Sequence, residues 1–344
     1  MDPVRTLLDW VDIPSVTGAE GDYGNALART LAGIGLQVER QEVAPGRFNV
    51  LARAGTPEVV FCTHLDTVPP WIPPREDREF VHGRGACDAK GQAVAMIAAA
   101  RALLDAGEDR FGMLFTVGEE TDSAGAALAN EQLSDPWRPR RVIVGEPTGL
   151  RWVRAHKGAF KAKLVAAGEA GHSSQAGFSS AIHALVRTSN RLLDEHWGDH
   201  AVLGSGTLNV GRIQGGVAAN VVAASAEAEI LVRVVEPADA VRARIVGCLE
   251  TGVRLETPSK AHGPTEFEVP EGEEGIAVAF GTDAPHLPRW GKPMLFGPGS
   301  IVDAHTDHEK VGKRDLAEAA LILERAVRSI LLQRAKPATA GRNP

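Results

Sequence analysis

Val59-Val60-Phe61-Cys62-Thr63 runs directly into His64-Leu65-Asp66, so an uncharged, largely apolar segment ends on an imidazole and a carboxylate. Such a segment reads as a strand covered on both faces. Two others repeat the form: residues 111–117 lead through Gly118 to Glu119 and Glu120, and Arg141–Val144 leads through Gly145 to Glu146. Asp88 follows Gly83-Arg84-Gly85 and precedes residues 91–104, an Ala-rich stretch too apolar all round for a surface helix. Strands alternating with helices predict an α/β protein whose mostly parallel mixed sheet lies between helices.

Outward from this centre, Asp2 can cap a first helix with Pro3 in its first turn. Residues 20–35 carry Tyr23, Leu27, Leu31 and Ile34 at helical spacing, and strands are expected at 37–43 and 49–54. The middle of the chain changes character. Strand 159–166, helix 179–194, strands 206–214 and 223–235, helix 237–250 and strand 252–256 give a β-α-β-β-α-β order, a small split-βαβ (ferredoxin-like) α+β domain. After a Gly-, Pro- and Glu-rich stretch near 261–275, short strands at 276–280 and 293–296 return, followed by a helix through Leu316, Leu323, Val327 and Ile330. The expected organisation is a catalytic domain in two parts, residues 1–153 and 263–334, interrupted by an inserted domain at 154–262. Residues 335–344 read as a disordered tail.

Lys and Arg number 37 against 44 Asp and Glu, a net charge of −7 without a dense basic stripe, which speaks against a nucleic-acid partner. No apolar run is long enough to span a bilayer, and the opening Met1-Asp2-Pro3-Val4-Arg5 does not read as a signal peptide. Three cysteines, Cys62, Cys87 and Cys248, form no C-x-x-C pair, so a reducing cytoplasm is the expected location.

In an open α/β sheet ligands bind beyond the carboxyl ends of the strands. Four separate segments would therefore aim acids or imidazole at one cleft, where unpaired anions repel one another unless a cation joins them. Alone, each residue has an ordinary explanation: His64 a structural hydrogen bond, Glu119-Glu120 a solvated turn, Asp88 a helix cap, Glu146 a loop acid. Coincidence of all four at equivalent positions favours a metal. H-e-x-x-H and G-x-S-x-G patterns are absent, and the glycines at 204–211 do not follow a strand as dinucleotide binding requires.

His64-Leu65-Asp66, Gly85-Ala86-Cys87-Asp88-Ala89-Lys90-Gly91, Gly118-Glu119-Glu120, Gly145-Glu146-Pro147-Thr148 and Gly297-Pro298-Gly299 with Ala304-His305 together resemble the dizinc metallohydrolase family of acetylornithine deacetylase, succinyl-diaminopimelate desuccinylase, carboxypeptidase G and aminoacylase. The resemblance covers nearly the whole chain and implies a zinc-peptidase-like catalytic domain with an inserted lid and dimerisation domain. It implies that Asp88 bridges two Zn2+ (or Co2+) ions, that His64 and Glu146 complete one site and Glu120 and His305 the other, and that the Asp88–Ala89 peptide is cis. His308 lies close to His305, but His305 follows Ala304 as in the family. By the same resemblance Glu119 is the general base, and Asp66 accepts from the second ring nitrogen of His64.

In the lid, His172 of Gly171-His172-Ser173-Ser174 would reach an oxyanion in the other subunit, which requires a homodimer. Asn220 and Arg233 would bind a substrate α-carboxylate, with Thr282 and Gly299 in pocket loops. Read without the family, His172 is a surface hairpin residue and Arg233 a sheet-face ion pair. One departure stands out: the family has a sizeable helix before the strand leading to Thr282, whereas residues 266–280 are short and acidic. The expected activity is hydrolysis of the amide of a small N-acyl-L-amino acid, acetylornithine deacetylase first. Alternatives are a desuccinylase, an acetyl-lysine deacetylase, a dipeptidase or carboxypeptidase, or a non-catalytic metal-binding relative.

Overall fold

The computed structural model describes residues 2–257 and 261–332, so the expected tail at 335–344 lies outside the described residues. The chain forms two compact units. One takes in the described residues up to Arg154, Phe267–Ile276 and those from Thr282 onward; the other comprises Ala155–Glu266 and Ala277–Gly281.

In the first unit the sheet order is Gln37–Ala44, Arg47–Arg53, Phe111–Thr116, Val59–His64, Arg141–Val144, Lys292–Leu295, ending on Val153. The central four strands are parallel; the Gln37–Ala44 and Arg47–Arg53 hairpin adds antiparallel strands at one side. Every residue of Val59–His64 and of Phe111–Thr116 is buried, as an uncharged run between two helical layers must be. Helix Lys90–Asp105 packs against Pro3–Val11 and Lys313–Leu332. Phe61, Phe115, Ile97, Leu103, Leu316, Leu323 and Val327 join one apolar cluster, each such burial contributing about 1.5–3 kcal/mol. Asp2 caps the first helix by accepting from the Val4 and Arg5 N–H groups, and Pro3 occupies its first turn.

The second unit is an antiparallel sheet in the order Thr207–Gly215, Ser225–Val234, Gly158–Ala167, Val253–Glu256, with helices Ala181–Asp194 and Ala238–Gly247. Burial alternates along Gly158–Ala167: Phe160, Ala162, Leu164 and Ala166 enter a core shared with Leu185, Leu192, Val241 and Ile245, while Lys161 and Lys163 do not. The boundaries differ from those expected. Arg154 falls in the first unit, and residues 263–266 belong to the second, where Thr265 pairs with His156 just after the His262–Ala159 bridge. Ala277–Gly281 follows it as well, with the Lys157 N–H donating to the Val278 carbonyl.

Three features were not anticipated. A three-stranded sheet joins Arg75–Glu76, Phe80–His82 and Lys310–Gly312. Helix Ala124–Glu131 follows the Glu119-Glu120 turn. The short strands Gly171–His172 and Val221–Val222 pair with each other. Between 266 and 280 there is no helix, only the ends of strands Thr265–Glu266 and Ile276–Val278. No helix among the described residues is long and apolar enough to cross a membrane.

Candidate metal centre

Three parallel strands end in register at the cleft. His64 lies opposite Thr116, and Cys62 opposite Val144. The residues that follow them are His64 itself, the Gly118-Glu119-Glu120 turn and Glu146. Gly118 adopts φ +82°, a left-handed conformation that glycine takes without a Cβ penalty. Asp66 fixes this turn: one of its oxygens accepts the Gly118 and Glu119 N–H groups at 3.1 Å each, the other the Glu120 N–H at 3.2 Å and the Thr17 hydroxyl at 2.7 Å. The expected bond between the Asp66 carboxylate and His64 is present but long. His64 Nδ1 lies 2.9 Å from the Asp66 backbone carbonyl and 3.5 Å from the carboxylate. Four donors already occupy that carboxylate, so the shorter of the two contacts that orient the imidazole is to the main chain.

Asp88 stands at the centre. Its Oδ1 is 3.0 Å from His64 Nε2 and its Oδ2 is 3.3 Å from His305 Nε2, and that same nitrogen is 3.0 Å from Glu120 Oε1. The Asp88–Ala89 peptide is cis. His305 has φ +62°, uncommon for a residue with a Cβ. It is His305 that reaches these carboxylates; His308 is exposed. Glu146 is buried beside them and feels the Asp88 charge most strongly of its neighbours'.

The electrostatics describe a cluster short of positive charge. Burial alone would raise Asp88, but hydrogen bonds with His305 and His64 hold it well below the usual carboxylate range. Burial alone would lower His64, yet its bonds with Asp66 and Asp88 hold it well above the ordinary imidazole value. Hydrogen bonds with Asp88 and Glu120 push His305 up to about 10. Glu146 and Glu119 are both pushed well above the ordinary range, first by burial; Asp88 adds to the effect on Glu146, and Asp283 to that on Glu119. Asp283, whose carboxylate accepts the Thr116 hydroxyl at 2.6 Å, is raised by burial to about 6.

These donors suit a divalent metal. His305 Nε2 carries at most one proton yet faces two carboxylate oxygens. Imidazole and carboxylate are zinc's ordinary ligands, and atoms about 2.0–2.2 Å from a tetrahedral ion stand roughly 3.3–3.6 Å apart, so the 3.0–3.3 Å separations here need only a slight widening to admit one. His64, Asp88 and Glu120 each offer a ligand atom within 4.8 Å of the others'.

The remaining sequence candidates fall elsewhere. Thr282 is buried and its hydroxyl accepts the Ala284 N–H at 3.1 Å, at the entry to a single 3-10 turn. Gly299 has φ +78°, and a Cβ there would come within 2.7 Å of Cys87 Sγ. In the second unit, His172 is exposed and accepts from the Ser174 hydroxyl and N–H, while the adjoining Ser173 N–H donates to the Asn220 carbonyl, so His172 and Asn220 share one loop cluster. Arg233 sits in strand Ser225–Val234, opposite Thr207 and Ala159.

Sequence reasoning missed Glu309 and Arg84. The buried Glu309 accepts the Gly85, Cys87 and Asp88 N–H groups on Oε1, each at 3.0 Å, and pairs through Oε2 with Arg84 Nη1 at 2.7 Å. Burial holds its carboxyl above the ordinary value against those bonds. Gln92 was missed too: its amide donates to the Cys87 and Pro298 carbonyls, tying the Asp88 turn to the Gly297-Pro298-Gly299 loop. No periodicity marks these residues; only burial does.

The profile of peptidase family M20/M25/M40 matches residues 60–329. A probable carboxypeptidase of Aspergillus flavus is 38% identical over 90% of this chain and 85% of its own length. The chain belongs to peptidase family M20/M25/M40. It is accordingly a hydrolase of the metallopeptidase class. Two solved structures superpose on it. A tripeptidase of Staphylococcus aureus has a TM-score of 0.77 at 20% identity, covering 94% of this chain and 96% of that one. An M20 family metallo-carboxypeptidase of Sulfolobus solfataricus has a TM-score of 0.75 at 18% identity, covering 94% and 98%. In this M20 chain, every residue drawn to Asp88 comes from the first unit.

Proposed function

We propose that this chain hydrolyses the amide bond on the amino side of a residue bearing a free α-carboxylate, as a carboxypeptidase or N-acyl-amino-acid amidohydrolase, with two zinc ions that cobalt can replace. The observation that carries this reading is Asp88, whose two oxygens face different imidazoles, His64 and His305, with Glu120 on His305. His64, Asp88 and Glu146 would hold one ion, and Asp88, Glu120 and His305 the other. Bound divalent ions supply Lewis-acid polarisation of the carbonyl and a lowered water pKa. Peptide-cleaving relatives favour a carboxypeptidase over the acetylornithine deacetylase expected first from sequence.

Glu119 follows Gly118 on a turn clamped by Asp66 and neighbours Glu120, so one side chain can hold metal while the other faces the reacting water. Its carboxylate takes the water's proton and delivers it to the leaving nitrogen. Its environment raises its proton affinity, which suits a base that must hold that proton between the two transfers. In the second unit, His172 would donate to the oxyanion across a homodimer, and Asn220 and Arg233 would receive the substrate carboxylate. Three buried, unpaired cysteines support a reducing compartment.

The test is a panel of dipeptides and acetyl-, succinyl- and formyl-amino acids, with zinc added and amine release measured. Glu119→Ala should lower kcat by about 10²–10⁴-fold while zinc content stays at the wild-type level. Unchanged turnover in a zinc-loaded Glu119→Ala protein removes the base assignment. Light scattering on the same preparations reports the dimer; a fully active monomer removes His172.

A further inference from the structure

Arg84 and Glu309 are respectively 2% and 1% exposed, and their ion pair joins the segments that carry Asp88 and His305. Glu309 gathers three N–H groups of the Gly85–Asp88 turn onto a single oxygen, including that of Asp88 itself. The Arg84 guanidinium completes the other side. Its Nη1 donates to the Thr306 carbonyl at 3.3 Å, one residue beyond His305, and its Nε to the Pro70 carbonyl at 3.2 Å. The Gly83 N–H in turn donates to the Glu309 carbonyl at 3.1 Å. Resting on the dinuclear reading above, we propose that the buried Arg84–Glu309 pair is a positioning device that fixes Asp88 and His305 relative to one another, and thereby sets the affinity of the pocket bounded by Asp88, Glu120 and His305.

Stability does not account for the pair. Buried ion pairs are often matched or bettered by apolar side chains of similar volume, and this one places a further carboxylate beside an acidic cluster. Its return is geometric. An anion held by several N–H groups of one turn dictates its path, and this turn carries the residue that both imidazoles address. His64 is fixed independently, by its own strand and by the Asp66 carbonyl. Loosening the pair therefore affects the two metal positions unequally.

The experiment is a cobalt titration of the chelator-treated full-length protein, followed by visible absorption and calorimetry. Wild type is compared with Arg84→Met, Glu309→Gln and the double variant, and Glu120→Gln identifies which binding step belongs to the Glu120–His305 pocket. Loss of an oriented group behind a ligand costs about 10- to 100-fold in metal affinity, and that loss is expected at this step, with its cobalt absorption band altered, while the other step is retained. The double variant leaves no lone buried charge, so it should fold where a single variant fails and still show the selective loss. Equal weakening of both steps, wild-type affinities in the double variant, or a double variant that does not fold overturns the positioning role. Wild type binding fewer than two cobalt ions overturns the dinuclear reading instead.

Discussion

Asp283 shows how far burial can move a carboxyl group against its own hydrogen bonds. It accepts the Thr116 hydroxyl, yet desolvation raises it to about 6 from an ordinary 3.8. A raised acid favours the folded state while protonated, so its contribution is complete below about pH 4 and is lost as pH rises through about 6. A displacement of this size is worth up to about 3 kcal/mol. Asp283→Asn cannot ionise. In chelator-treated protein, the stability of Asp283→Asn relative to wild type should therefore rise by up to that amount between pH 4 and pH 7, measured by urea unfolding at each pH. A difference that stays constant across the range would show that the ionised form carries no such burden. At the same scale, Asp66 illustrates what residue type leaves undetermined: spacing marks it as a partner of His64, but whether its carboxylate turns to an imidazole or to three turn N–H groups depends on where Gly118–Glu120 lies.

Helix Lys90–Asp105 is anchored at its first residue. The Lys90 ammonium is buried, donates to the carbonyls of Trp10 and Ile13 at 3.1 and 2.6 Å, and lies 4.6 Å from the centre of the Tyr23 ring; burial lowers it to about 7. It thus ties this helix to the end of Pro3–Val11. Lys90→Met keeps the stem and removes a donor from both carbonyls; Trp10's keeps the Ile13 N–H while Ile13's is left bare, so a destabilisation of about 1–3 kcal/mol is expected, read as a lower urea midpoint at unchanged m-value. A variant as stable as wild type would show that those carbonyls find other donors. The sequence made this helix legible because a run such as Ala93–Ala100 has no polar face, just as Val59–Thr63 announced a covered strand. It did not announce helix Ala124–Glu131. There Gly125 fits only because a Cβ would meet the Asn49 side chain and the Val117 backbone within 2.6 Å, and that neighbour comes from a strand far earlier in the chain. Two-residue strands such as Arg75–Glu76 are equally silent, since they are too short to carry a period. The ligand positions were readable because they terminate strong patterns; Arg84 and Glu309 were not, because their burial is a product of the assembled turns.

Over the whole molecule, the two units differ in what a metal can do for them. Each has its own apolar cluster, and His64, Asp88, Glu120, Glu146 and His305 all lie in the first. A ligand stabilises only the state that binds it, by about 2.7 kcal/mol at a concentration one hundred times its dissociation constant. For a unit of this size that amounts to an increase of roughly 5–10 °C in melting temperature. Trp197 is the second unit's only tryptophan and sits in its core, against five in the first. The fluorescence lost on Trp197→Phe substitution therefore follows the second unit, and what remains follows the first. Heating with zinc and again with chelator should move the remaining signal by that amount and leave the Trp197 signal in place. If both signals shift together by the same interval, the units unfold as one cooperative body and the metal's stabilisation is shared across the chain; if neither shifts, the acids and imidazoles around Asp88 do not hold an ion in solution.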